Sequence, residues 1–102
     1  MRSNAEGFCR TISRSASLSS LSSPMARIKD RLRFMANDSE YYPGLVTGPT
    51  EFLASVARKA TQEIDSNRSV RECRMVRAAA IDVYIELTSM ADGEHLMITL
   101  GM

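Results

Sequence analysis

Between residues 50 and 92 the chain contains neither proline nor glycine, so no residue in this stretch forces a helix to end. Near its start, apolar and small side chains recur at spacings of one, three and four, which is typical of one face of a helix. These side chains are Phe52, Leu53, Val56, Ala57, Ala60 and Ile64. We expect this helix to begin at Pro49, because proline fits the first helical position and Glu51 suits the positive end of the helix dipole. The polar residues 67–69 either end the helix or belong to its polar face.

A shorter helix is predicted before this one. Ser23 suits the N-cap position and Pro24 the first position of the helix. Ile28, Leu32 and Met35 then follow at helical spacing, and the turn-forming residues 37–39 end the segment.

A third helix is predicted from about Ala78, after a loop. Its apolar positions Ile81, Tyr84 and Ile85 share one face. The β-branched content of residues 81–87 leaves a strand as the alternative, whereas the three alanines before them favour a helix.

No predicted helix has a second apolar face that would close a bundle within one chain. We therefore expect the central helix to cross a helix of a second chain. The residues predicted to form that interface are Phe52, Leu53, Val56, Ala57, Ala60, Ile64, Ile81, Tyr84 and Ile85.

Residues 1–22 are rich in serine and arginine, and we expect them to be disordered because they cannot bury enough apolar surface. Residues 23–102 would then form the folded domain. Ser13 and Ser17 follow arginine in the manner of kinase sites and are candidates for phosphorylation. The same composition describes an organellar transit peptide or a basic tail that touches nucleic acid.

The composition excludes several classes of function. The 102 residues suffice for one domain, and 13 Lys+Arg against 12 Asp+Glu give a net charge of +1, which rules out nucleic-acid binding by bulk charge. No run is long enough to span a membrane. Cys9 and Cys73 lie far apart and His95 is the only histidine, so we expect reduced thiols and no metal site. No catalytic motif is present, so we expect neither an enzyme, a cofactor nor a small-molecule substrate.

Several segments resemble the core histone fold, and histone 2A most of all. Residues 24–28 (Pro-Met-Ala-Arg-Ile) stand where that family's first helix opens Pro-Val-Gly-Arg-Ile. Residues 52–56 (Phe-Leu-Ala-Ser-Val) precede residues 61–64 (Thr-Gln-Glu-Ile) at the separation of the family's central-helix motifs. Residues 92–96 (Asp-Gly-Glu-His-Leu) are similar to its Asn-Asp-Glu-Glu-Leu.

The resemblance implies an all-α histone fold: a short helix, a loop, a long central helix, a second loop and a short helix. It implies a heterodimer with a histone 2B-like chain, association with other core histones, and contact with the DNA phosphate backbone in nuclear chromatin. The residues that would contact DNA are Arg27 and Arg33 beside the first helix, and Arg74 and Arg77 in the second loop. Glu63 and Glu94 would be the remnant of the family's acidic patch.

Two alternatives remain open. Residues 24–29 are also similar to the C subunit of nuclear factor Y, which implies a non-nucleosomal histone-fold subunit of a transcription or replication complex. The other alternative is a helical subunit of a mitochondrion or plastid, with its N-terminal segment cleaved as a transit peptide.

Overall fold

A computed structural model describes residues 7–16, 22–42, 48–66, 70–88, 96 and 98–100. It contains the helices α1 (Phe8–Ser15), α2 (Pro24–Ala36), α3 (Pro49–Asp65) and α4 (Val70–Leu87), and a 3-10 helix (Ser39–Tyr41) follows α2. These described residues include no strand. The predicted all-α class is therefore confirmed.

The starts of α2 and α3 lie where the sequence predicts them. The side chain of Ser23 accepts a hydrogen bond from the backbone N–H of Ala26 at 3.1 Å, and Pro24 occupies the first turn of α2. Helix α3 begins with Pro49 and carries Glu51 in its first turn. Both prolines sit where a missing N–H costs no intrahelical hydrogen bond.

The prediction of the last helix is wrong in both its first residue and its length. Helix α4 begins at Val70 instead of near Ala78, and its 18 residues make it slightly longer than the 17 residues of α3. The reason is that Cys73 and Val76 are fully buried, so the apolar face extends two turns upstream of Ile81. The strand alternative for residues 81–87 is also wrong, because they are helical as far as Leu87.

Helices α3 and α4 pack closely because small residues line both of them. Ala57 and Ala60 on α3 and Ala79 and Ala80 on α4 are all fully buried. Side chains of this size let two helix backbones approach each other. The short connection between α3 and α4 makes these two helices antiparallel neighbours.

Helix α2 packs beside α4 in the same direction. Lys29 pairs with Asp82 at 2.9 Å, and one turn further along both helices Arg33 pairs with Glu86 at 2.8 Å. The matching steps show that the two helices run parallel. The N-terminal ends of α2 and α4 therefore lie at the same end of the domain.

Helix α1 corrects the prediction that residues 1–22 are disordered. Residues 8–15 are helical, and Cys9, Ile12 and Ala16 belong to the buried core. These three residues are spaced so that they share one helix face, which packs against α2, α3 and α4. Within residues 1–22, the structure describes only residues 7–16 and Ser22.

The face predicted to need a second chain is covered within this one. Leu53, Ala57 and Ala60 are fully buried in the single chain, and Phe52, Val56 and Ile81 retain at most 7% exposure. Ile64, Tyr84 and Ile85 are partly buried against the same core. The cover comes from α4, from α2 and from α1, the helix that composition alone did not predict. Burial of these apolar side chains therefore does not require a second chain.

Candidate anion-binding site

Arg33, one of the four arginines predicted to contact DNA, is held by acidic side chains of its own chain. Its Nε and one Nη donate to the two carboxylate oxygens of Glu86, each at 2.8 Å, and its other Nη donates to Asp30 at 2.6 Å. These bonds raise the pKa of Arg33 and lower the pKa of Glu86. Because a bidentate pair occupies the face of the guanidinium that would bind phosphate, Arg33 is poorly suited to DNA contact.

The other three arginines are placed differently from the prediction. Arg74 and Arg77 lie on α4 and not in a loop. Arg74 is exposed and makes no ion pair with any residue the structure describes. Arg77 is half-buried, and its Nε has no hydrogen-bond partner among the described residues. Arg27 on α2 donates to the backbone carbonyl of Ser22.

Arg27 shares a pocket with Arg71, an arginine that was not among the predicted contacts. The pocket has a volume of about 260 Å³ and lies between α1, α2 and α4. Its other lining residues are Ser13, Ala16, Pro24, Ile28, Glu72 and Met75. This volume lies just below the range of about 300–1,000 Å³ that is usual for drug-sized ligands, so the pocket fits a small group.

The pocket is electropositive because its one acid is already paired. Glu72 forms an ion pair with Arg10 of α1, with 3.5 Å between Oε1 of Glu72 and Nε of Arg10. Arg71 is exposed and has no ion pair within the described residues. Two arginines from different helices therefore line the pocket, and its described lining residues include no unpaired carboxylate. Guanidinium groups match the oxygens of phosphate and carboxylate in geometry as well as in charge.

Ser13 of α1 is a lining residue of this pocket. Its Oγ is buried and has no hydrogen-bond partner among the described residues. A buried polar atom without a partner is costly. The hydroxyl would have to rotate toward the pocket before it could donate a hydrogen bond to a bound anion. The same burial makes Ser13 a poor kinase site, and Ser17, the other predicted phosphorylation site, lies outside the described residues.

Glu63, predicted as part of an acidic patch, instead caps α1. Its carboxylate accepts hydrogen bonds from the backbone N–H groups of Phe8 at 2.7 Å and Cys9 at 3.0 Å. Burial raises the pKa of Glu63, but the N–H groups of Cys9 and Phe8 outweigh it, so the pKa lies below its ordinary value. Glu94, the other predicted acid, lies outside the described residues. The capping role uses both carboxylate oxygens of Glu63, and the acidic patch formed with Glu94 stays a prediction.

The two cysteines meet at Glu63, although the sequence separates them by more than half of the chain. The Sγ atoms of Cys9 and Cys73 and a carboxylate oxygen of Glu63 all lie within 4.8 Å of one another. Both thiols are fully buried, and burial raises the pKa of each. These three are the residues in the described part of the chain that could hold a metal ion together.

Sequence reasoning missed Arg71 and the cysteine cluster for the same reason. Both depend on α1 docking beside α4, and that contact follows from the tertiary fold. A local signal was present for Arg71, because it precedes Arg74 by one helical turn once α4 is extended to Val70.

Two wider observations bear on the class of protein. Among the described residues, no helix combines the length and the apolar character that crossing a bilayer requires. Comparisons with protein-family models, with curated proteins and with solved structures gave no match to this chain.

Proposed function

We propose that the protein is a binding module for the phosphate backbone of duplex DNA, with Arg27 and Arg71 holding a phosphate group at the pocket between α1, α2 and α4. The observation that carries this proposal is that two arginine residues from separate helices line one small pocket. Ser13, whose Oγ is buried without a partner among the described residues, lines the same pocket. Arg74, exposed one turn beyond Arg71, extends the basic surface along α4.

The positions of the ion pairs between α2 and α4 support the proposed site, because the acids of these pairs lie away from the pocket. Asp82 and Glu86 are neutralised by Lys29 and Arg33, toward the C-terminal ends of the two helices. Near the N-terminal ends, Glu72 is the acid of the pocket and is paired with Arg10. The net charge of +1 therefore conceals a local excess of arginine at the pocket.

The chemistry of the pocket favours binding over catalysis. The lining residues that the structure describes include no histidine or cysteine, and the one carboxylate among them is in an ion pair. A nucleophile would lack a neighbouring base to activate it. Contacts of guanidinium with phosphate position a nucleic acid without reading its bases, so we expect binding that does not depend on sequence.

The first prediction concerns the salt dependence of this binding. Binding of a short DNA duplex should weaken as salt is added, and Arg71→Gln should reduce the slope of log affinity against log salt by about 0.9 for each phosphate contact that is lost. Arg27→Gln should act in the same direction. Fluorescence anisotropy at several salt concentrations measures both effects.

The matched control is Arg58→Gln, which removes the same charge from α3. Arg58 is exposed, pairs with Glu51 at 3.2 Å and does not line the pocket. It should leave the slope close to that of the unchanged protein. Equal effects of Arg58→Gln and Arg71→Gln would contradict a localised site and indicate attraction by overall charge.

A second proposal is the role that the sequence resemblance implies, a divergent histone 2A-like chain that pairs with a histone 2B-like partner in nuclear chromatin. It is supported by the residue correspondences and by the helix starts at Pro24 and Pro49. A non-nucleosomal histone-fold partner would use the same surface. Because the apolar face of α3 is buried in the single chain, such pairing requires α1 or another covering helix to move away.

A further inference from the structure

Cys9, Glu63 and Cys73 come from three different helices and meet in the interior of the domain. Cys9 lies in the first turn of α1, Glu63 in the last turn of α3 and Cys73 in the first turn of α4. Both thiols are fully buried, and the three ligand atoms lie within 4.8 Å of one another. The proposed anion pocket does not include these side chains.

The spacing of these atoms is close to that of a tetrahedral metal site. Zinc bonds of about 2.3 Å to sulfur and about 2.0–2.2 Å to oxygen place neighbouring ligand atoms roughly 3.5–3.8 Å apart. Distances within 4.8 Å therefore need to shorten by at most about 1.3 Å. Small rotations of buried side chains supply a movement of that size.

The carboxylate of Glu63 is already oriented for a ligand. Two backbone N–H groups, of Phe8 and Cys9, fix its plane, and the thiol of Cys73 donates to Oε1 over 3.8 Å. Loss of the Cys73 proton would remove that donor and leave a lone pair of Oε1 free for a cation. Hydrogen bonds of this kind commonly hold a metal-binding carboxylate in position.

We propose that Cys9, Glu63 and Cys73 bind one divalent cation of the zinc type, with a water molecule as the fourth ligand. Thiolate ligands select thiophilic cations over magnesium or calcium. Binding releases the two thiol protons to solvent, so two thiolates and one carboxylate surround the doubly charged ion. The remaining negative charge lies at the N-terminus of α1, where the helix dipole is positive.

The test uses cobalt(II) as the probe on the full-length, reduced protein. We expect one equivalent of cobalt to produce thiolate-to-metal charge-transfer absorption, and zinc to abolish it by displacement. The chain has two cysteines, so every thiolate band must come from this site. Cys9→Ser and Cys73→Ser should each weaken binding by more than the roughly 10–100-fold that loss of an outer-shell partner costs.

The matched control is His95→Asn, which removes the only histidine of the chain and should leave cobalt binding unchanged. Circular dichroism checks that each variant is folded. Should a cysteine variant fail to fold, native mass spectrometry of the unchanged protein decides instead. The mass should increase by one zinc ion and decrease by two protons.

Three results would overturn the proposal. The first is the absence of charge-transfer absorption in the reduced, unchanged protein. The second is one metal ion for every two chains, which would place the ligands between molecules. The third is a loss of two protons without a gain of metal, which would identify a disulfide between Cys9 and Cys73.

Discussion

At the scale of single residues, Glu63 connects the end of α3 to the start of α1. Its carboxylate satisfies two N–H groups at the start of α1 from a helix more than fifty residues away in sequence. The first N–H groups of a helix have no partner within the helix, so α1 depends on this cap. The sequence predicts that Glu63 lies on a helix. It does not predict that Glu63 caps α1, because that contact depends on the tertiary fold.

The lowered pKa of Glu63 predicts how stability should change with pH. Its hydrogen bonds contribute fully above the ordinary carboxyl pKa of about 4.3, and the contribution is lost as the pH falls through the lower pKa of the folded state. Glu63→Gln should cost about 1.5–3 kcal/mol near neutral pH, because it replaces a charged acceptor. The difference from the unchanged protein should shrink in acid. Urea unfolding at several pH values, with a chelator present, measures it.

Glu51→Gln is the control for this experiment. Glu51 is exposed and pairs with Arg58 at the surface, where an ion pair contributes about 0–1 kcal/mol. An effect of Glu63→Gln that is as small as that of Glu51→Gln, or that does not change with pH, would contradict the capping role.

At the scale of elements, the starts of α2 and α3 could be predicted and α1 could not. Prolines mark the starts of α2 and α3, and an N-cap residue also marks α2. Helix α1, by contrast, has only eight residues and a composition typical of disorder. An isolated helix of that length is not stable in water, so its existence depends on docking. The spacing of Cys9, Ile12 and Ala16 was the available signal, but without a known surface to cover it carried little weight.

Docking of α1 predicts a clear effect at Ile12. Ile12 is 4% exposed, and Ile12→Ala should reduce the free energy of unfolding by about 2–5 kcal/mol, as core truncations of this kind do. Thr11→Ala on the exposed side of the same helix removes only the hydrogen bond from its hydroxyl to the carbonyl oxygen of Gly7, and it should cost no more than about 0.5–1.5 kcal/mol. Chemical denaturation of both variants gives the comparison, and equal stabilities would show that α1 adds nothing to the core.

At the scale of the whole molecule, the structure describes a chain that covers its own core. The small residues of α3, expected from the sequence to face a second chain, face α4 of the same chain. An apolar stripe predicts that a helix needs a neighbour, but it does not say whether the neighbour belongs to the same chain. The pocket and the cysteine cluster were equally beyond prediction, because both require α1.

Self-coverage predicts that folding does not depend on concentration. The melting temperature of the isolated protein should stay constant on dilution, whereas an obligate pair would melt lower as it is diluted. Circular dichroism over a wide concentration range makes this measurement. Adding histone 2B then tests the second proposal: a one-to-one complex on gel filtration supports histone-type pairing, and separate elution of the two chains contradicts it.

Helix α1 contributes residues to both proposed sites, so binding at the two sites would be coupled. Ser13 and Ala16 form a wall of the pocket, while Cys9 on the same helix belongs to the cluster at Glu63. A ligand at either place favours the docked position of this segment and so lowers the ordering cost for the other. Because coupling is reciprocal, a cation that increases the affinity for an anion would itself bind with higher affinity when the anion is bound. If both proposed sites bind their ligands, the eight residues of α1 would couple the two binding equilibria.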